Sequence, residues 1–197
     1  AAIIGEVWED ASNKISYSTA REYLFGDELD STMNYPLRDA LIKFFTGQKS
    51  GEYLHKHIMK LYENYPIHVF YSTLNLIGGH DVARIRTIMG NAPKEHKLSK
   101  VEKASYRLSN DEIQLANKRV KMLCMFQMTY PGAPCIYYGD EAGLEGYSDP
   151  FNRAAFPWGY EDADLLKWYK KFIHMRLSYD ALRTGEFIPI LPDTLKK

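Results

Sequence analysis

The chain alternates short apolar runs with longer stretches in which apolar residues recur every three or four positions. A short apolar run between turn residues is typical of a β-strand, whereas the longer spacing is typical of an α-helix that buries one face. The apolar runs predict strands over residues 3–8 and 31–35, within 69–77, and over 134–138.

The longer stretches predict four helices. Pro36 suits the first turn of one helix and Gly47 its end, and a second helix ends at Pro66. Ser109 and Glu112 form a capping box at the start of a third helix. The last helix is predicted over about residues 162–182, with five inward residues: Leu165, Tyr169, Phe172, Ile173 and Leu177.

The order of these elements predicts an α/β fold with parallel strands and outer helices. No turn signature of a hairpin is present, and the polar stretch 91–107 is predicted to be a long loop. A complete (β/α)8 barrel needs about 250 residues. Four strand-then-helix units therefore fit half of such a barrel, although a small doubly wound sheet would give the same alternation.

Composition narrows the class of protein. The 197 residues carry 25 basic and 25 acidic side chains, so the net charge is zero. This balance argues against nucleic-acid binding, and the absence of a long apolar run argues against a membrane partner. Two cysteines cannot form a disulfide framework. Because the sequence opens directly on a predicted strand, we expect all of residues 1–197 to belong to a longer chain.

Polar side chains stand at the end of every predicted strand. They are Glu6, then Asp30 and Asn34, then His80 and Asp81, and finally Asp140 and Glu141. In α/β barrels the carboxyl ends of the strands carry the chemistry, so a barrel would bring these groups to one rim. Arg84 is expected to form a structural ion pair with one of the acidic residues, and Asp140 and Glu141 are expected to order the rim.

Several segments resemble, in the correct order, the motifs of the α-amylase family, glycoside hydrolase family 13. Residues 5–8 (Gly-Glu-Val-Trp) resemble its fifth-strand motif, and residues 30–40 resemble the sixth strand of its neopullulanase, cyclomaltodextrinase and maltogenic amylase branch. Residues 76–84 resemble the seventh-strand motif, and residues 132–146 the eighth. The resemblance implies strands five to eight of a TIM (β/α)8 barrel, that is, the C-terminal half of the catalytic barrel.

The resemblance also implies roles for four residues. Glu6 matches the general acid/base, and Asp81 matches the carboxylate that stabilises the transition state. His80 matches the histidine that hydrogen-bonds the sugar beside the cleaved bond, and Trp8 matches a residue on the acceptor side. The apolar neighbours of Glu6 favour a buried carboxyl group.

The family resemblance implies a retaining α-glucan hydrolase that cleaves α-1,4 bonds, with α-1,6 bonds as an alternative, in starch-derived oligosaccharides, cyclodextrins or pullulan. Its nucleophile, an Asp in an Arg-x-Asp context on the fourth strand, has no match here. We therefore expect the chain alone to be inactive and, with unpaired edge strands, to self-associate.

No cofactor or metal is expected in this half, whereas calcium remains an option for the other half. A cytoplasmic location fits the branch. An amylase-like transferase or isomerase, or a non-catalytic binding protein, remains an alternative.

Overall fold

The computed structural model describes residues 1–25 and 28–190. The chain divides into two compact units, and each unit combines separate stretches of sequence. The first contains residues 1–75, 129–133 and the residues from 176 onward, and the second contains residues 76–128 and 134–175. In the described part of the chain, no helix has both the length and the apolar character of a membrane span.

The strands are short, and in the first unit they pair in parallel in the order that the sequence predicts. Strand β1 (Ile4–Gly5) lies beside β4 (Ser31–Thr32), with Ile4 opposite Ser31. An isolated parallel bridge then joins Met33 to Leu74, the first residue of β5 (Leu74–Leu76). At the start of β6 (Ala133–Cys135), Ala133 N donates to Thr73 O. The predicted α/β class is confirmed, with strands of two or three residues in place of the longer predicted runs.

The prediction that the chain has no hairpin is wrong. Strands β2 (Ile15–Ser16) and β3 (Thr19–Ala20) pair in an antiparallel hairpin. Its two turn residues, Tyr17 and Ser18, have φ angles of 52° and 61°. A two-residue turn of this hand is usually made by Asn-Gly or Asp-Gly, so the local sequence carries no signal for it.

Two helices of the first unit agree with the prediction. Helix α1 (Tyr35–Phe45) begins after Asn34, and α2 (Gly51–Asn64) packs against it. A short helix, α3 (Ile67–Phe70), precedes β5, which is the strand predicted within residues 69–77. The N–H groups of Val69 and Phe70 both donate to Pro66 O, which closes its helical turn.

The regular structure of the second unit consists mostly of helices. It contains α4 (Ile85–Met89), a 3-10 helix (Glu95–Lys97), α5 (Lys100–Ser105), most of α6 (Asn110–Thr129) and most of α7 (Ala163–Ser178). The 91–107 segment is therefore not one long loop, because a capping box of Ser99 and Glu102 starts α5. The predicted capping box at the start of α6 is confirmed by Ser109 N donating to Glu112 Oε2 at 2.7 Å.

The predicted last helix is interrupted. Helix α7 ends at Ser178, and α8 (Ala181–Thr184) follows in the first unit. The inward positions Leu165, Tyr169 and Phe172 are buried as predicted. The prediction that Leu177 points inward is wrong, because this residue is 62% exposed.

Candidate active site

Glu6 and Trp8 meet at one aromatic side chain of the first unit. The Tyr35 hydroxyl donates to Glu6 Oε1 at 2.9 Å, and the Tyr35 ring stacks on the Trp8 indole with centroids 4.1 Å apart. Tyr35 is only 2% exposed, so it is a fixed support for both side chains. The carboxyl group of Glu6 itself is exposed, contrary to the expectation drawn from its apolar neighbours.

Two asparagines hold Tyr35 in place. Asn34 caps α1, since its Oδ1 accepts from Leu37 N at 3.2 Å, and its Nδ2 donates to Asn75 Oδ1 at 2.9 Å. Asn75 Nδ2 in turn donates to Pro131 O at 2.6 Å. Both asparagines are buried, so these bonds form away from water and fix the end of β4 where Tyr35 begins its helix. Sequence reasoning found Asn34 but missed Asn75, whose only signal is a polar residue inside a buried strand.

His80 and Asp81 lie together in the second unit. His80 Nε2 is 3.1 Å from Asp81 Oδ2, and Arg153 Nη2 is 3.3 Å from Asp81 Oδ1. Arg153 Nε also pairs with Asp149 Oδ1 at 2.7 Å. All of these side chains are roughly half exposed, so each remains accessible to a ligand while the arginine orients the Asp81 carboxylate.

The side-chain amide of one residue holds the backbone of the segment that carries His80 and Asp81. Asn152 is fully buried, and its Nδ2 lies 3.2, 2.7 and 2.8 Å from the carbonyl oxygens of Gly79, His80 and Val82. The backbone carbonyl oxygen of Asn152 accepts from Arg84 Nε at 2.8 Å. Asn152 was not singled out from the sequence, because nothing near it in the chain indicates contact with residues about seventy positions away.

Arg84 is the buried cation beneath this segment. Its Nη1 lies 3.2 Å from Asp140 Oδ1, and both side chains are almost wholly enclosed. The guanidinium also lies over the Tyr137 and Tyr138 rings, at 4.3 and 4.7 Å from their centroids. The predicted structural ion pair is therefore confirmed. A Cβ at Gly78 would come within 1.9 Å of Asp140 Oδ2, so only glycine leaves room for this pair.

Neither cysteine is suited to nucleophilic chemistry. Burial raises the pKa of the Cys124 thiol to about 12. Burial, together with the negative charge of Asp140, also raises the pKa of Cys135. Because the thiolate is the reactive form, both side chains act as packing groups.

Comparison with known proteins identifies the family. The family model described as "Alpha amylase, catalytic domain" matches residues 1–185. The chain belongs to this family. It is 40% identical over 198 aligned residues to an amylopullulanase of Thermoanaerobacter thermohydrosulfuricus. It is 34% identical over 187 aligned residues to a cyclomaltodextrinase of Geobacillus thermopakistaniensis. The resemblance seen in the sequence is thereby confirmed.

Solved structures give the same result for the fold. A cyclomaltodextrinase superimposes with a TM-score of 0.70 at 32% identity, over 93% of this chain and 26% of that one. The type III pullulan hydrolase from Thermococcus kodakarensis gives 0.73 at 30% identity, over 93% of this chain and 28% of that one. In the two curated relatives, the match covers 94% and 93% of this chain but only 12% and 26% of the relative.

Proposed function

We propose that this chain forms part of the catalytic barrel of a retaining α-glucan hydrolase, with Glu6 as its general acid/base. The observation that best supports this role is the hydrogen bond from the buried Tyr35 hydroxyl to Glu6 Oε1, beside the stacked Trp8 indole. It holds an accessible carboxyl group at the end of a strand and next to a flat aromatic surface. A proton donor in that position suits a glycosidic oxygen whose sugar packs on the indole.

The proposed reaction has two steps. In the first, the Glu6 carboxyl group gives its proton to the glycosidic oxygen as the bond to the anomeric carbon breaks and a nucleophilic carboxylate bonds to that carbon. In the second, the Glu6 carboxylate takes a proton from water as the water oxygen attacks the same carbon and releases the nucleophile. The family resemblance assigns that nucleophile to a strand that precedes Glu6, so we expect the 197-residue chain alone to be inactive.

His80 and Asp81 act on the bound sugar. A carboxylate near the ring favours the positive charge that develops in an oxocarbenium-like transition state, which is the role proposed for Asp81. The imidazole of His80 donates a hydrogen bond to a sugar hydroxyl. The ion pair between Arg153 and Asp81 supports these roles, because it restricts the rotation of the Asp81 side chain.

The proposed substrates are α-glucans such as pullulan, cyclodextrins or starch-derived oligosaccharides. This proposal rests on the relatives, which are named amylopullulanase, cyclomaltodextrinase and type III pullulan hydrolase. The proposed reaction requires no cofactor, and we propose a cytoplasmic location for the enzyme. An amylase-like transferase uses the same two steps with a sugar hydroxyl in place of water, so product analysis decides between the two reactions.

The test is a Glu6→Gln substitution in the complete product of the gene that encodes this chain. The amide keeps the shape of the side chain but cannot give up a proton, so turnover of maltooligosaccharides should fall by at least a thousandfold. An α-maltosyl fluoride needs little protonation and should still glycosylate the protein. The matched control is Glu22→Gln, an exposed carboxyl group of the first unit away from the proposed site, which should keep full activity.

The two substrates separate the acid role from other failures. If Glu6→Gln loses natural and fluoride substrates equally while glycosylation limits both, Glu6 is not the acid. If the unaltered gene product releases no sugar from any α-glucan, the proposed function itself is wrong.

A further inference from the structure

The first unit contains a cleft that the proposed chemistry does not use. It has a volume of about 270 Å³ and lies between the segment after β1 and the facing sides of α1 and α2. Its floor is apolar, formed by Pro36, Ala40 and Leu61. Trp8 stands at its wall, so the cleft begins at a residue already assigned to the substrate.

Aromatic rings line the walls of this cleft, which we call the α1–α2 cleft. Tyr53 and His57 stand one turn apart on α2 with ring centroids 4.1 Å apart, and His57 Nδ1 lies 3.0 Å from Tyr53 O. The Lys49 ammonium lies 5.4 Å from the Tyr53 centroid and further restrains that ring. Trp8 is 47% exposed although one face of its indole is covered by Tyr35. Restrained rings of this kind offer flat surfaces to the apolar faces of a pyranose at low entropic cost.

The charges of the cleft are mixed rather than of one sign. Lys43 and Lys60 contribute positive charges, and Glu9, Asp10 and Asp39 contribute negative ones. A phosphorylated ligand would require an excess of positive charge, and a cationic ligand a clear excess of negative charge. Hydrogen-bond donors and acceptors distributed between aromatic walls suit a neutral ligand that carries many hydroxyl groups.

The cleft is also connected to the proposed acid/base through direct contacts. Glu6 Oε1 accepts from Tyr35, Tyr35 stacks on Trp8, and Trp8 lines the cleft. A glucan whose bond is cleaved beside Glu6 and whose next sugar packs on Trp8 would therefore enter the cleft with the sugars that follow.

We propose that the α1–α2 cleft binds the leaving-group side of an α-glucan beyond the sugar at Trp8, and thereby gives the protein a preference for longer chains. This inference rests on the proposed function. His57 and Tyr53 are the specificity-determining residues, and Lys43 supplies a hydrogen-bond donor to the sugar hydroxyls.

The experiment compares maltotriose with maltoheptaose as substrates of the complete gene product. The variants are His57→Ala, Tyr53→Ala and Lys43→Gln, with His55→Ala as the control. His55 lies on the same helix and is also half-buried, but it does not line the cleft. The measured quantity is the ratio of kcat/KM for maltoheptaose to kcat/KM for maltotriose. It does not change when part of the protein is misfolded, because both substrates meet the same active fraction.

The ratio should fall about tenfold in His57→Ala and Tyr53→Ala, severalfold in Lys43→Gln, and not at all in His55→Ala. An unchanged ratio in all three cleft variants would overturn the inference while leaving the proposed function intact. If the gene product hydrolyses neither sugar, calorimetry with maltoheptaose replaces kinetics. Binding that His57→Ala weakens would then support the cleft without the hydrolase, and no binding would reject both.

Discussion

Asn152 shows how a single residue can hold a functional segment in place. Its amide nitrogen faces three carbonyl oxygens of the segment that carries His80 and Asp81. Asn152 is wholly buried, so its two N–H groups are shielded from water and are shared among these three oxygens. The conformation of the segment is thus determined by a side chain about seventy residues later in the chain.

We predict that Asn152→Asp loosens the segment, because the variant places a carboxylate oxygen where the N–H donor was. The loosened segment should make the amide of Arg84, which closes the segment by donating to Gly146 O, exchange with deuterium roughly a hundredfold faster. Hydrogen exchange followed by mass spectrometry measures this directly. Asn110→Asp, at an exposed position at the start of α6, should leave exchange in the segment unchanged. Equal protection in Asn152→Asp and the unaltered protein would contradict the prediction.

At the scale of elements, Asp162 connects three helices of the second unit. Its Oδ1 accepts from Leu165 N at 3.1 Å and caps α7. Its Oδ2 accepts from Arg86 of α4 and from Asn117 of α6, each at 2.8 Å. Burial alone would raise the pKa of Asp162, but these hydrogen bonds and the charge of Arg86 outweigh it, so the pKa lies below its ordinary value.

The lowered pKa predicts a pH dependence of stability. Because the carboxyl group holds its proton less tightly in the folded state, the stabilisation is complete above the unfolded pKa of about 3.9 and is lost as the pH falls through the folded value. Asp162→Asn should therefore lower the free energy of unfolding by about 1–2 kcal/mol near neutral pH, and by less in acid. Urea denaturation of both proteins, once near neutral pH and once in acid, measures these differences in the free energy of unfolding.

The control for this experiment is Asp164→Asn. Asp164 pairs with Lys121, but its side chain is 72% exposed, so the substitution should cost less than about 0.5 kcal/mol. A loss in Asp162→Asn that is the same in acid as at neutral pH would show that the charge of Asp162 is not what stabilises the junction.

The sequence predicted best those elements whose signals are local. Helix α6 was found because its capping box and apolar stripe lie within one continuous segment. The β2–β3 hairpin was missed because Tyr17 and Ser18 adopt a backbone conformation that their residue types do not favour. The candidate site follows the same rule. Its motif residues were named from the sequence, whereas the support of Glu6 by Tyr35 arises only when β1 and β4 pair.

For the molecule as a whole, we predict that the 197-residue chain, produced alone, associates with itself. Among the residues that the structure describes, β1 pairs only with β4, and Ile3 and Ile4 are 56% and 48% exposed. An apolar strand with one unpaired edge favours addition of another strand. Size-exclusion chromatography with light scattering at tens of micromolar should give a mass above 22.8 kDa. Ile4→Lys should reduce the measured mass, because a charged side chain on an edge strand disfavours pairing with another strand. A monodisperse monomer of the unaltered chain would contradict the argument.

The division into two units has a consequence for any attempt to take the molecule apart. The backbone passes from one unit to the other after residues 75, 128, 133 and 175, so neither unit is a continuous stretch of sequence. A single protease cut, or a gene truncated at any one position, therefore cannot release one unit whole. Exchange of a unit between relatives would require several coordinated replacements in the gene. Recombination is thus expected to move these residues as one block, and a shuffled library should place its junctions outside them.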